Sequence, residues 1–559
     1  MSKIHNFLSF FIIILSFQFT RAQETIYNTP LTHIMSAEER HLMQNYARAF
    51  VETAPPTGSV RGIAEWEPME AVIIAYTGTF GIPVSMISEM SEDVKVIVIV
   101  ANSSEETTVR NTFQSNSVVM SHVAFLYQDP NTYWTRDYGP WFIAVNDEET
   151  AIIDFPYNRP RPNDDNVPVI MAPYLNIDLY GMNITHTGGN FMCDGYAAAA
   201  STDLVWEENT SQSQTDIRTK MQNYMGITDY QVTIDPLDDY IKHVDCWGKY
   251  LDVDKILITQ VPSSDYRYAD YEAVANYFAT HNCSWGYPYE VYRAQAATYS
   301  EQADNPYTNS LILNNKVFVP QTGHNLDDDA IAVYQQAMPG YEIIGVYSTG
   351  WLNSDALHCR THEIADRQML YIQHYPLHGV YTDVSYFTID AKVTSYGGSP
   401  LIAGFPKLVY QQNNGTWNEI SMSLASGTMN YTAQIPAFDG TNTVKYYIIA
   451  QNDNSKTSKH PTMGSVDPHV FTYTNTLWNE EFSESLISVF PNPSSGEFRV
   501  VLPFDNGSLE IMSLNGQIVR SEEIRSFDPE LDLTEMGSGM YILRIINENK
   551  VYTKKLMLR

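Results

Sequence analysis

Cysteine is scarce in this chain. Only Cys193, Cys246, Cys283 and Cys359 occur in 559 residues, far apart and with no Cys-x-x-Cys pair. That spacing excludes a disulfide scaffold and the common structural zinc sites, although a single disulfide between two of the other cysteines stays open. Basic residues are also short: 33 Lys and Arg stand against 65 Asp and Glu, a formal charge of −32. Such a chain repels nucleic acid and anionic membrane surfaces and weakly attracts cationic substrates; simple acidic solubility explains the charge equally well. Low-complexity tracts are absent, as is an Asp-x-Asp-x-Asp-Gly loop of the EF-hand type. Long apolar runs are missing beyond the N-terminus. There Lys3 precedes "FLSFFIIILSF", with Ala22 at a plausible cleavage point. The run is short for a membrane span, so residues 1–22 read as a signal peptide, with a membrane anchor as the alternative.

What is present is a folded composition, 44% hydrophobic and 13% aromatic, on a chain long enough for two to four domains. From 24 to 376, apolar strand runs such as "VKVIVIV" (94–100), "KILIT" (255–259), "SLILNNKVFVP" (310–320) and "YEIIGV" (341–346) alternate with helical stretches. The helical stretches are 36–52, 270–282 and 327–338. The alternation predicts an α/β domain. From 378 to 475 the pattern becomes short alternating strands between Gly, Asn and Ser, predicting an Ig-like β-sandwich. A Ser/Asn/Thr-rich passage near 474–484 leads to a third unit, 486–559, of hairpins and alternating strands: a small β-sandwich domain.

Four stretches of the first domain carry candidate chemistry. "TYWTRDYGPWF" (132–142) sets tryptophans around Arg136 and Asp137, the latter either functional or merely paired to its neighbour. In "YIKHVDCWGKY" (240–250), an extended strand would aim His243 and Asp245 at one face and Cys246 and Lys242 at the other. That pair is either a cleft pair or a satisfied surface pair. "DALHCRTHE" places Cys359 beside His358, with His362 three residues on. A thiolate there is a nucleophile, a metal ligand lacking further thiolates, or an inert buried thiol. "NRPRP" stiffens a loop bearing Arg159 and Arg161, either a carboxylate clamp or a solvated loop paired with Asp164 and Asp165.

Together these pieces suit a planar cation. Carboxylates at Asp137 and Asp245 match guanidinium geometry, Trp134 offers a stacking face, and a thiolate can attack the guanidinium carbon while a histidine moves protons.

"YWTRD", "YNRPRPNDD", "TGGN" (187–190), "YIKHVDCWGKY", "YTNSLILNN" (307–315) and "DALHCRTHE" occur in the order that closely resembles the secreted bacterial peptidylarginine deiminases; "WTRDYGPWF" is also similar to agmatine deiminases. The resemblance implies a five-bladed α/β propeller, although no fivefold repeat is visible by eye. It implies Cys359 as nucleophile and His243 as general acid/base. Asp137 and Asp245 would hold the guanidinium, with Asn309 as a polar active-site residue and Trp134 and Tyr240 at the substrate. Arg159 and Arg161 would bind the substrate's main-chain carboxylate. It implies no cofactor and no metal requirement, although "PNDDN" could hold a structural ion. The expected partners are arginine-containing peptides or proteins, preferably with C-terminal arginine.

The C-terminal unit, with "FPNPSSG", "SLNGQIV", "DLTEMGSGMYILRI" and "KKLMLR", resembles the sorting domain of type IX secretion substrates. That implies a partner in the type IX secretion machinery, a secreted or outer-membrane surface-attached location, and no transmembrane segment in the mature chain. The expected reaction converts arginine to citrulline and ammonia. The rivals are an agmatine or free-arginine deiminase, an amidinotransferase and a noncatalytic surface-binding protein.

Overall fold

In the computed structural model the described residues are 31–43, 50–298, 304–425, 427–438, 440–475, 487–547 and 550–559. The expected signal peptide (1–22), most of the 474–484 passage and the middle of the expected 36–52 helix lie outside them; Ala37–Met43 is helical. By its contacts the chain divides into two units. One comprises most of the chain to 471, and the other the remainder to Arg559 with two short excursions.

The larger unit is mixed α/β with a β-rich C-terminal part. Its α/β part holds five separate small sheets. Sheet one contains Trp141–Val145, Glu149–Asp154 and Asp178–Gly181, with Val60–Gly62 on its edge. Sheet two contains Met192–Cys193, Ala198–Thr202 and Asp229–Thr233. Sheet three contains Gly248–Asp252, Lys255–Gln260 and Glu290–Gln295. Sheet four contains Leu311–Leu313, Lys316–Gln321 and Glu342–Tyr347. In sheet five the last strand, His362–Ala365, pairs with Met69–Ala75, which continues to Lys95–Val100 and Val123–Tyr127. The two ends of this part of the chain therefore share one sheet.

One plan recurs in all five. An antiparallel pair comes first, then a parallel neighbour reached through a helix. Parallel pairing needs such a crossover. The helices are Val167–Leu175, Gln214–Met225, Tyr268–Thr280, Asp327–Ala337 and Val84–Asp93. Gln214–Met225 shows how local chemistry sets their ends. Ser213 and Asp216 form a reciprocal capping box, and Gly226 ends the helix at φ 73°. The middle strands are apolar runs buried on both faces, as in Lys95–Val100 and Lys316–Gln321.

Beyond these sheets, Leu370–His374 pairs with Tyr386–Ser395, and Lys407–Gln412 pairs with Gly440–Gln451. Burial alternates residue by residue along Tyr386–Ser395 and Gly440–Gln451, the period of a strand with one face on a core. The C-terminal unit contains two antiparallel sheets, one centred on Glu497–Val501 and one on Gly507–Ser513 and Gly539–Asn547. They bury Phe498, Val500, Ile511, Leu543 and Leu556 in one core.

A buried ion pair ties sheet five to the turn that enters sheet one. Arg136 Nη1 and Nη2 donate to Glu363 at 3.0 and 2.5 Å. Removing one partner of such a pair strands the other charge out of water. We expect Glu363→Ala to lower unfolding free energy by about 3–5 kcal/mol. The urea midpoint should fall accordingly, and Glu363→Gln, which keeps hydrogen-bonding atoms beside Arg136, should cost less.

Candidate active site

Each of the five sheets is entered through a tight turn, and those turns carry the candidate residues. Asp137 lies in Thr135–Tyr138, before Trp141–Val145; Gly188–Asn190 precedes Met192–Cys193. Asp245 lies in Val244–Cys246, before Gly248–Asp252. Asn309 precedes Leu311–Leu313, and Cys359 precedes His362–Ala365. This placement gathers residues that are more than a hundred positions apart in the chain.

Asp137, His243, Asp245, Asn309 and Cys359 are all buried. Asn309 joins two of the turns. Its Nδ2 donates to Cys359 Sγ and to the Asp245 carbonyl, both at 3.3 Å. Its Oδ1 accepts from the backbone N–H groups of His358 at 3.1 Å and Cys359 at 3.3 Å. Cys359 Sγ lies 3.7 Å from Asp245 Oδ2. His243 Nδ1 lies 3.6 Å from Asp137 Oδ1. Neither ring nitrogen of His243 has a hydrogen-bond partner among the described residues. His358, by contrast, is committed on both sides: Nδ1 lies 2.7 Å from Asp245 Oδ2 and Nε2 lies 3.1 Å from Glu65 Oε2.

The TGGN turn explains its own glycines. A Cβ on Gly189 would stand 2.5 Å from His243 Nδ1 and 2.9 Å from Asp137 Oδ1; one on Gly188 would stand 2.0 Å from the Arg136 carbonyl. Only bare backbone lets the Asp137 and His243 turns approach this closely.

Burial dominates the electrostatics. It pushes the Cys359 thiol up to about 11, against a hydrogen bond from Cys246 that lowers it. It lowers His243 to about 4, although Asp137 and Asp245 pull the other way. Asp137 nevertheless sits well below the ordinary carboxylate range; burial opposes its charge, but His243, His33 and Arg159 more than offset that. Asp245 is likewise lowered, with His358 offsetting its burial.

Arg159 and Arg161 are both buried, in the loop after sheet one's middle strand. Arg161 Nε donates to Glu39 Oε1 at 2.9 Å, and its Cζ lies 5.5 Å from the Trp134 ring centroid. Arg159 Nε and Arg161 Nη1 have no partner among the described residues. Asp164, one expected partner of these arginines, accepts instead from the Thr132 hydroxyl at 2.7 Å and the Asn131 N–H at 2.7 Å. Asp137 is not spent on Arg136, which is bound to Glu363. Tyr240 stands apart from the buried group, 48% exposed on the loop before His243.

Two expectations need correction. Residues 244–246 form a 3-10 turn and not a strand, so the alternation argument does not apply. His243 and Asp245 reach the same site because the turn curls around it. For the same reason Cys246 does not point away: its Sγ lies 3.5 Å from Asp245 Oδ1 and faces the Cys359 thiol. Lys242 does face elsewhere, 2.6 Å from Glu207.

Sequence reasoning missed His33. Its Nε2 lies 2.8 Å from Asp137 Oδ2, its ring stacks on Trp134 at 4.8 Å and 11°, and its edge meets His243 at 5.8 Å. Nothing in its local sequence marks it. His33 also completes both groups that could hold a metal ion, with Asp137 and His243 or with Asp355 and Cys359, ligand atoms within 4.8 Å of one another.

A buried thiol, an imidazole with free nitrogens and two carboxylates gathered at one site can hold a planar cation and attack its central carbon.

Comparison with known proteins agrees with this chemistry. The chain is 22% identical over 291 residues to a candidate agmatine deiminase of Shewanella baltica (strain OS155), covering 45% of this chain and 78% of that protein. It is 25% identical over 272 residues to a candidate agmatine deiminase of Vibrio parahaemolyticus, covering 42% and 76%. The crystal structure of another candidate agmatine deiminase shares the fold, with a TM-score of 0.51 at 18% identity, covering 57% of this chain and 99% of that one. Residues 488–559 match the secretion system C-terminal sorting domain, which marks the chain for secretion and cell-surface attachment. Among the described residues no helix is long and apolar enough to cross a membrane. Residues 61–364, more than half of the sequence, match the Porphyromonas-type peptidyl-arginine deiminase family, and the chain belongs to that family of guanidino-group deiminases.

Proposed function

We propose that the chain hydrolyses the guanidinium of peptidyl arginine, preferably C-terminal arginine, to citrulline and ammonia. In the fold that goes with this reading, the five sheets are the five blades of an α/β propeller and the β-rich part that follows is an Ig-like sandwich. The observation that carries the substrate choice is Arg161. It is buried, stands over Trp134, and already holds a carboxylate, that of Glu39, next to the Asp137 and Cys359 cluster. A site built to bind a carboxylate there suits a substrate ending in one. Agmatine, suggested by the names of the relatives, has none.

The steps follow from the atoms. The substrate guanidinium lies on Trp134 with its nitrogens on Asp137 and Asp245. Burial holds Cys359 as a thiol, and a cation beside it favours the thiolate. As the thiolate forms its proton passes to His243, the sulfur attacks Cζ and a C–S bond forms. His243 gives a proton to one amino group as the C–N bond breaks, releasing ammonia and leaving an S-alkylthiouronium. His243 then takes a proton from water. The water oxygen attacks Cζ, the C–S bond breaks with the remaining hydroxyl proton returning to the sulfur, and citrulline leaves with Cys359 restored as a thiol. Asn309 fixes the nucleophile's loop and Arg159 and Arg161 hold the main-chain carboxylate. Tyr240 lies at the exposed rim.

Three measurements check this reading. Citrulline and ammonia are measured from a peptide ending in arginine, its amidated twin and agmatine. We expect turnover of the free-carboxylate peptide above all and none in Cys359→Ala; equal turnover of the amidated twin overturns the clamp, and agmatine as sole substrate overturns the peptide reading. Arg161→Ala should raise KM for the free-carboxylate peptide relative to its amidated twin about tenfold to a hundredfold, the worth of a charged hydrogen bond, with no rise in KM for the twin itself. Asn309→Ala should lower kcat about a hundredfold through misplacement of the thiol, with KM nearly held.

A further inference from the structure

The cleft is already filled, and by the chain itself. Residues 31–43 enter it at two points. His33 is a planar ring stacked on Trp134, with one nitrogen on the Asp137 carboxylate at 2.8 Å. Its ligand atom, Cys359 Sγ and an Asp355 carboxylate oxygen all lie within 4.8 Å of one another. Glu39, a few residues on, puts its carboxylate on Arg161 at 2.9 Å, and the Thr32 carbonyl accepts from the same guanidinium at 2.6 Å. Both side chains are buried.

These contacts match the two ends of the proposed substrate. An imidazole shares with guanidinium a flat face for the indole and N–H groups for a carboxylate. It lacks an amino leaving group on a carbon that Cys359 can attack, so it occupies the site without turning over. Glu39 supplies the carboxylate that the arginine clamp is built to hold. The match is partial: both His243 nitrogens, Arg159 Nε and Arg161 Nη1 stay without partners among the described residues. A true substrate has more to gain from the site than this segment does.

Resting on the reading above, we infer that residues 31–43 are an intramolecular pseudosubstrate, with His33 in the guanidinium pocket and Glu39 on the arginine clamp, and that the segment must leave before an arginine peptide binds. Being tethered, it competes at an effective concentration set by the chain and not by its intrinsic affinity. If the cleft is open one-tenth of the time, apparent KM is raised about tenfold.

The test uses the full chain with His33→Ala, Glu39→Gln and both together. Glu39→Gln keeps the capping box that Glu39 forms with Ser36, since glutamine serves there too, and removes only the charge on the clamp. We expect KM for the C-terminal-arginine peptide to fall about tenfold in the double variant. A synthetic peptide of residues 31–43 should restore inhibition competitively, and the same peptide carrying both substitutions should not. A second readout is independent of turnover: the rate at which 2-chloroacetamidine, a small amidinium electrophile, alkylates Cys359. It should rise in the variants by a similar factor. Unchanged KM and unchanged alkylation, with citrulline still formed, overturn the pseudosubstrate and spare the deiminase. Faster alkylation with no citrulline from any guanidino substrate supports the occupied cleft and overturns the proposed reaction.

Discussion

Charges at the centre of this molecule survive burial because each faces an opposite one. Lys249 Nζ lies 2.7 Å from Glu65, Glu65 lies 3.1 Å from His358, and His358 lies 2.7 Å from Asp245, which reaches Cys359. Beside this row stands the Arg136–Glu363 pair. Burial alone would strip Glu65 and Asp245 of their charge, yet both stay below the ordinary carboxylate range because of Lys249 and His358 beside Glu65 and the His358 hydrogen bond to Asp245. The row begins on strand Gly248–Asp252 and ends at the turn before His362–Ala365, so it spans sheets far apart in sequence. An apolar centre would cost less to bury. It could not hold Asp245 ionised next to a thiol.

The buried cluster of Asp137, His243, Asp245, Asn309 and Cys359 is a consequence of repeated topology. A turn that enters a sheet's first strand sits at one end of that sheet, and each of five sheets presents its turn in the same place along the chain. The turns differ in conformation: a short helix at Asp137, 3-10 turns at Gly188–Asn190 and Val244–Cys246. What they share is position, and position is enough for Asn309 to bond two of its neighbours at once.

Much of this was legible in the sequence. Apolar runs such as 94–100 and 341–346 became strands because β-branched residues on both faces leave few other choices. The motifs around Asp137, His243, Asn309 and Cys359 were visible as clusters of reactive side chains. The fivefold plan was not, because the sheets share pairing and crossover, not side chains. The Val244–Cys246 turn was misread as a strand because His-Val-Asp alternates in polarity as a strand does. Its conformation is set by neighbours such as Asn190, whose Oδ1 accepts from the Val244 N–H at 3.3 Å. His33 was illegible for a stronger reason. Its partner lies 104 positions away, and an isolated histidine carries no periodicity or spacing to betray it.

Glu39 does two jobs with one carboxylate: it closes the capping box at the start of Ala37–Met43, and it lies on Arg161. A helix of seven residues cannot persist by itself in water. Withdrawal from the clamp is therefore not the swing of a rigid arm but a small melting event. Conformational entropy, about 1–2 kcal/mol for each backbone residue released, favours departure, while the contacts of two side chains oppose it. The balance between occupied and vacant cleft is thus a folding equilibrium, sensitive to temperature and to helix propensity in residues that never touch a substrate.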